Sequence, residues 1–213
     1  MRKRLLVLGA RAYAPVFADA FESCDGHEIV GFVENLDRAF CAERILDRPV
    51  HWVDDIEPLA ASHGAICCLA TTRRDGFVAT VERMGFRFAT LVHPRATVST
   101  RATIAEGVSL DAGVVVAAFT RIGLHVRVGR GATIGHHVTV EPFVTIHPGA
   151  NIAGNCIVHE RTTVCIGATI IDGRTLGAGC VVAAGATVID DVPASALVAG
   201  TPARVIRVDG GPL

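Results

Sequence analysis

The chain lacks any uninterrupted apolar segment approaching the roughly 20 residues that a membrane-crossing helix requires, although half of its 213 residues are hydrophobic and its mean hydropathy is +0.44. Its apolar content is therefore expected in packed interiors, in a soluble, cytoplasmic protein of two modest domains. It also lacks a long block of like charge. Twenty basic against 21 acidic residues leave a formal net charge of -1, which argues against a nucleic-acid or anionic-membrane partner. No C-x-x-C occurs among seven cysteines, an odd number with one adjacent pair, Cys67 and Cys68. Buried apolar thiols are expected in preference to disulfides or a metal site. The opening MRKRLLVLGARAYA imitates a cleavable leader, but Arg11 cuts its apolar run to about six residues, below the usual 7 to 15, so it reads as a first strand.

What is present is a repeat. Stepping by six from Val92 meets Val98, Ile104, Leu110, Val116, Ile122, Val128, Ile134, Val140, Ile146, Ile152, Val158, Val164, Ile170, Leu176, Val182 and Val188, seventeen places all filled by Val, Ile or Leu. Four residues after each comes a small or β-branched residue, as at Ala96, Val108, Thr120, Ala132, Cys156 and Ala186, with Arg174 the clear exception. The fourth place of the hexad is often glycine, as at Gly107, Gly113, Gly131, Gly149, Gly167, Gly173, Gly179 and Gly185. Glycine there suits a corner with positive φ, while the two apolar places point inward from short flat strands. Three hexads make one triangular coil of 18 residues, so seventeen hexads give between five and six coils. At a strand spacing of about 4.8 Å the coils stack into a prism on the order of 25 Å long.

Before residue 91 the pattern changes. RLLVLGA reads as a buried strand, AYAPVFADAFES as a helix and HEIVGFVEN as a strand ending near Glu34. A short extended piece around PVHWV, a strand in GAICCLATT, a helix in GFVATVERM and a strand in RFATLV follow. Strands alternating with helices imply a small parallel sheet of Rossmann type. The chain is accordingly divided into an α/β domain, 1–90, and a solenoid, 91–213, joined near LVHPRA.

In ATIGHHVTVEP, His136 and His137 occupy the third and fourth places of a hexad, at an outward corner and outside the core. Eighteen residues beyond His136 lies Gly154, one coil on. A histidine facing a residue without a side chain suits acyl transfer. The imidazole acts as general base toward an attacking amine or hydroxyl, and a backbone N–H aimed at the thioester oxygen stabilises the tetrahedral oxyanion. No protein nucleophile is needed.

The ending VAGTPARVIRV carries Gly200, Thr201, Pro202, Ala203 and Arg204, a G-x-P-A-[KR] exit directly after the last hexads. Together with the V-H-P-x-A-x-V opening and a corner histidine shortly before A-G-N, the layout resembles the bacterial hexapeptide-repeat sugar acetyltransferases, which include sialic acid O-acetyltransferase and the N-acetyltransferases of UDP-4-amino sugars. The resemblance covers essentially the whole chain. It implies a left-handed parallel β-helix, a homotrimer, and acetyl-CoA as co-substrate in the groove between subunits. It also implies a nucleotide-sugar acceptor on the α/β domain. On that basis His136 is the base, Gly154 meets the acetyl carbonyl, and Gly154, Gly167, Gly185 and Arg204 line the coenzyme.

Three departures stand against the pattern. Family members usually carry Asp or Glu after the base, where this chain has His137. His137 is a candidate helper, with Glu141 or Asp111 as possible sources of an orienting carboxylate. A second histidine is common in the F-x-H-I segment, where this chain has Thr145. The nucleotide loop usually reads G-A-x-G-x-G, and here reads Gly9-Ala10-Arg11-Ala12-Tyr13-Ala14. Glycines there let a ligand approach a helix N-terminus closely; Gly9, Ala10 and Arg11 remain acceptor-site candidates, with Arg11 for a phosphate, Glu34 for a ribose or base and Thr71 as a hydroxyl donor on the same rim. O-acetylation, a non-catalytic trimer with a decayed site, and a γ-class carbonic anhydrase-like metal enzyme are the rival readings. Against the last, His125, His136, His147 and His159 fall on all three sides of the coil.

Overall fold

The computed structural model describes residues 2–24 and 26–208. Its first part is a five-stranded sheet built from β1 (Lys3–Leu8), β2 (His27–Glu34), β3 (Arg44–Ile45), β4 (Arg48–Trp52) and β5 (His63–Cys67). The spatial order is β3-β4-β2-β1-β5, with every pairing parallel except β3 against β4. The alternation of β1 decides its two faces. Leu5 and Val7 pack with Phe17 and Phe21 of α1 (Ala14–Phe21), while Leu6 and Leu8 pack with Val78 and Val81 of α2 (Asp75–Arg83). Pro15 sits in the first turn of α1, where its missing N–H costs nothing. The strand expected over RFATLV is reduced to a single bridge between Ala65 and Phe88, followed by the short strand Leu91–Val92. The reason is that Leu91 already pairs with Ser109, one coil ahead.

From Leu91 the chain winds as a β-helix of two-residue strands in three sheets. Each strand pairs in parallel with the one eighteen residues on, as Val98, Val116, Ile134, Ile152 and Ile170 do in turn. From Leu110 to Val188 the sixth-residue side chains are at most 2% exposed. Each such burial contributes about 1.5–3 kcal/mol, repeated along one continuous core.

The corners form three columns of left-handed backbone. Gly131, Gly149, Gly167 and Gly185, at φ between +65° and +68°, make one. The second is Phe119, His137 and Asn155, and the third is His125, Phe143 and Arg161, all with φ between +55° and +64°. Side chains larger than glycine thus occupy two of the corners. The end of the solenoid is closed by Ala196–Gly200, parallel to Val181–Val182, and by Ala203–Val208, which returns antiparallel.

The two parts meet at Arg74, which is 2% exposed. Its Nη1 donates to Thr71 O at 2.7 Å and to Thr145 Oγ1 at 2.8 Å, and its Nη2 to His125 O at 2.6 Å and Val144 O at 3.1 Å. Burial pulls the guanidinium down to about 10, which leaves it cationic at neutral pH. His125 lies beside it, stacked on Phe143 at 5.1 Å, edge-on to Phe88 at 4.8 Å, with Nε2 3.3 Å from Glu82 Oε1. Burial pushes this imidazole below its ordinary range. Outside this core, Arg161 pairs with Asp75 at 3.0 Å.

Arg74→Met is therefore expected to lower stability by about 2–4 kcal/mol, because buried carbonyl groups lose a charged donor. Exposed Arg73→Met should stay within about 0.5 kcal/mol of the parent. Equal denaturation midpoints for the two variants would contradict the role of Arg74.

Candidate active site

His136 and His137 are both exposed at the corner after the strand Thr133–Ile134. The turn brings the ring of His136 over the next coil, against Gly154. A β-carbon on Gly154 would fall 2.6 Å from His136 Cε1 and 2.8 Å from Nε2. Gly135 permits the same closeness from the other side, since a β-carbon there would fall 2.6 Å from Gly154 N. Two glycines one coil apart thus let an imidazole lie on a bare backbone. Among the described residues no carbonyl accepts the Gly154 N–H.

His137 has φ +57°, and this turns its ring back onto its neighbour. The Nδ1 atoms of His136 and His137 are 3.1 Å apart, a hydrogen bond in which one ring donates and the other accepts. When His136 carries the donated proton on Nδ1, its Nε2 is a free lone pair facing Gly154. His137 is itself stacked on Phe119 at 4.9 Å, which lies under the Arg101 guanidinium at 5.7 Å. The column Arg101, Phe119 and His137 therefore packs the ring that holds His136.

Neither carboxylate considered as an orienter is on His136. Glu141 bonds His159 Nδ1 at 3.1 Å and the Glu160 N–H at 3.0 Å, and Asp111 is buried against the Ala112 N–H. A carboxylate that the single-coil step missed does reach this corner. Asp172 lies eighteen residues beyond Gly154, and its Oδ1 would be 2.9 Å from a Gly154 β-carbon. Asn155 Nδ2 holds it at 3.1 Å. A second step of eighteen along the sequence is the signal that finds it.

The other candidates are distributed away from this point. Gly167 and Gly185 stand on the neighbouring corner column with open space over their α-carbons. The exit segment reaches that corner through Thr201 Oγ1, which donates to Gly185 O at 3.4 Å. Arg204 is exposed, 3.7 Å from Asp190. At the carboxyl ends of β1, β2 and β5, Arg11, Glu34 and Thr71 are engaged locally. Glu34 is 2% exposed, its Oε1 accepts the N–H groups of Asn35 and Leu36, and its Oε2 is 3.0 Å from Arg11 Nε. Arg11 also lies over the Phe40 ring at 4.2 Å. Thr71 Oγ1 accepts from Arg73 N and so caps a short turn. Gly9 has φ +109° with Cys68 and Leu69 packed where a side chain would go, and Ala10 is buried. A cavity of about 700 Å³ between Arg2, Arg4, His63 and Arg87 lies at the opposite ends of the strands.

Over almost its full length the chain matches solved sugar acetyltransferases. It is 27% identical to a histidine-to-asparagine variant of perosamine N-acetyltransferase from Caulobacter crescentus in complex with CoA and GDP-perosamine, at a TM-score of 0.87 with 94% of this chain and 95% of that one covered. It is 28% identical to the acetyltransferase domain of PglB from Neisseria gonorrhoeae FA1090 in complex with acetyl coenzyme A, at a TM-score of 0.88 with 97% and 100% covered. The chain is thus similar along nearly its whole length to hexapeptide-repeat acetyltransferases. Among curated relatives it is 38% identical over 52 residues to 2,3,4,5-tetrahydropyridine-2,6-dicarboxylate N-acetyltransferase from Clostridium perfringens, which is 24% of this chain and 22% of that protein. The chain thus spans about a fifth of the length of the curated relatives it matches. No family model matches the chain. Among the described residues no helix is long and apolar enough to cross a membrane.

The left-handed corner makes a stability prediction at His137. Both His137→Asn and His137→Val delete the ring, but asparagine tolerates positive φ and a β-branched residue does not. The valine variant should be less stable than the asparagine variant by about 1–2 kcal/mol. Equal stability in chemical denaturation would contradict the observed backbone.

Proposed function

We propose that this chain is an acetyl-CoA-dependent N-acetyltransferase acting on an amino group of a sugar, nucleotide-linked, as a cytoplasmic homotrimer. The observation that carries this reading is the imidazole of His136 lying on Gly154, with its Nδ1 bonded to His137. The thioester carbonyl is placed against the Gly154 N–H, and the acceptor nitrogen is placed at His136 Nε2. As the nitrogen attacks, His136 takes a proton from it, and the Gly154 N–H meets the developing oxyanion. His137 holds the tautomer that leaves Nε2 free. The proton then passes to the departing thiolate. The glycine corners at Gly167 and Gly185, with Arg204 at the exit, offer the coenzyme a groove without side chains to displace. Exposed aliphatic residues on the prism, including Val115, Ile157, Ile166, Ile171 and Ile189, support burial against further copies. The rim of the α/β domain at Gly9, Ala10, Arg11, Glu34 and Thr71 is the proposed place for the acceptor. Glu34 there works through Arg11, because its own oxygens are already taken.

Release of coenzyme A thiol from acetyl-CoA should be measured with GDP-perosamine and dTDP-4-amino-4,6-dideoxyglucose as acceptors. His136→Ala is expected to lower kcat by about 100-fold or more, with acetyl-CoA binding by calorimetry unchanged. A variant that keeps more than about a tenth of the rate contradicts the base role.

A further inference from the structure

The proposed reaction leaves one group at the corner without a task. Asp172 Oδ1 and His136 Nε2 converge on the same point above Gly154, at 2.9 Å and 2.8 Å from the position a β-carbon would take. The two atoms therefore lie within two hydrogen-bond lengths of each other, with the bare glycine between them. Asp172 is fixed there by Asn155, whose Nδ2 donates to Oδ1 at 3.1 Å and contacts Oδ2 at 3.4 Å. Arg174, two residues on, does not pair with this carboxylate. Arg174 turns its Nε to the Asp172 backbone carbonyl and its Nη1 toward Asp191. The other titratable groups facing this place are His136, His137 and the buried thiol of Cys156, which is committed to Gly154 O and Ile171 O.

We infer that Asp172 and His136 Nε2 form an ammonium subsite that receives the acceptor as a protonated primary amine and selects it over a hydroxyl. This rests on the acetyltransferase reading and names the group that acceptors must present. An alkyl amine near neutral pH arrives as an ammonium ion, which a carboxylate attracts and a hydroxyl group cannot imitate. Docked between the two residues, the ammonium passes one proton through His136 to water. The freed electron pair forms the C–N bond at the thioester carbonyl. When the tetrahedral species collapses, the C–S bond breaks and a second nitrogen proton moves through His136 to the thiolate. The products are an acetamide, coenzyme A thiol and one released proton.

The test compares Asp172→Asn, Asp172→Glu and the parent with the two amino-sugar nucleotides named above. Asp172→Asn should raise acceptor KM by about tenfold or more, given a lost charge-assisted contact, with acetyl-CoA KM and Tm unchanged. Asp172→Glu should recover part of the loss. The ratio of parent to Asp172→Asn in kcat/KM should shrink as pH rises and the acceptor loses its own proton. An active parent whose Asp172→Asn variant keeps acceptor KM within twofold at all pH values overturns the subsite and leaves the acetyltransferase reading intact. A parent that releases no coenzyme A thiol with either amine overturns both.

Discussion

Each inward aliphatic side chain of the solenoid must find its counterpart eighteen residues away, and the rest of the molecule depends on that register. The pairing of Val116 with Ile134 and of Ile134 with Ile152 fixes the core, and it also fixes what stands outside it. Outward corner residues stack in columns because inward ones do. His136 lies on Gly154, and Gly154 lies beneath Asp172, for no reason beyond this register. An insertion of one residue between two coils would send an imidazole to the wrong corner while costing little in composition. Chemistry here is a by-product of packing geometry.

The same periodicity explains what could be read from the sequence. Hexads are local and repeated, so the solenoid, its coil length and the pairing of His136 with Gly154 were legible. Glycine corners were legible as well, because glycine announces positive φ. The corners at Phe119, His137 and Asn155 were hidden, since phenylalanine and histidine carry no such signal; the coil imposes the conformation on them. Arg74 gave no warning either. An arginine beside a threonine pair reads as surface, and its burial arises only when the α/β domain docks on the carbonyls of His125 and Val144. At the rim, the position of Glu34 was legible but its engagement was not, because the loop amides that consume its oxygen follow it directly.

Two departures from the residues usual in the acetyltransferases this chain resembles acquire physical reasons. Where a second histidine is common, Thr145 is 1% exposed and accepts a hydrogen bond from Arg74. That position belongs to the junction between the two parts of the chain. Where a carboxylate is usual, His137 reaches the same nitrogen of His136 that a carboxylate would. It offers a neutral acceptor in place of an anion, so in the proposed base role it would orient His136 but give less electrostatic support to an imidazolium. The stacking of His137 on Phe119 supplies the rigidity that this weaker partner needs.

The central claim is that His136 is held for proton transfer by the ring bonded to its Nδ1, and it is tested most directly at His137. Steady-state kcat for acetyl transfer should be measured for His137→Gly, which removes the partner without straining a backbone at φ +57°, and for His137→Asp. The glycine variant should lose about tenfold or more in kcat, the usual effect of deleting an orienting partner. The aspartate variant should match or exceed the parent. Full parental kcat in the glycine variant would contradict the claim.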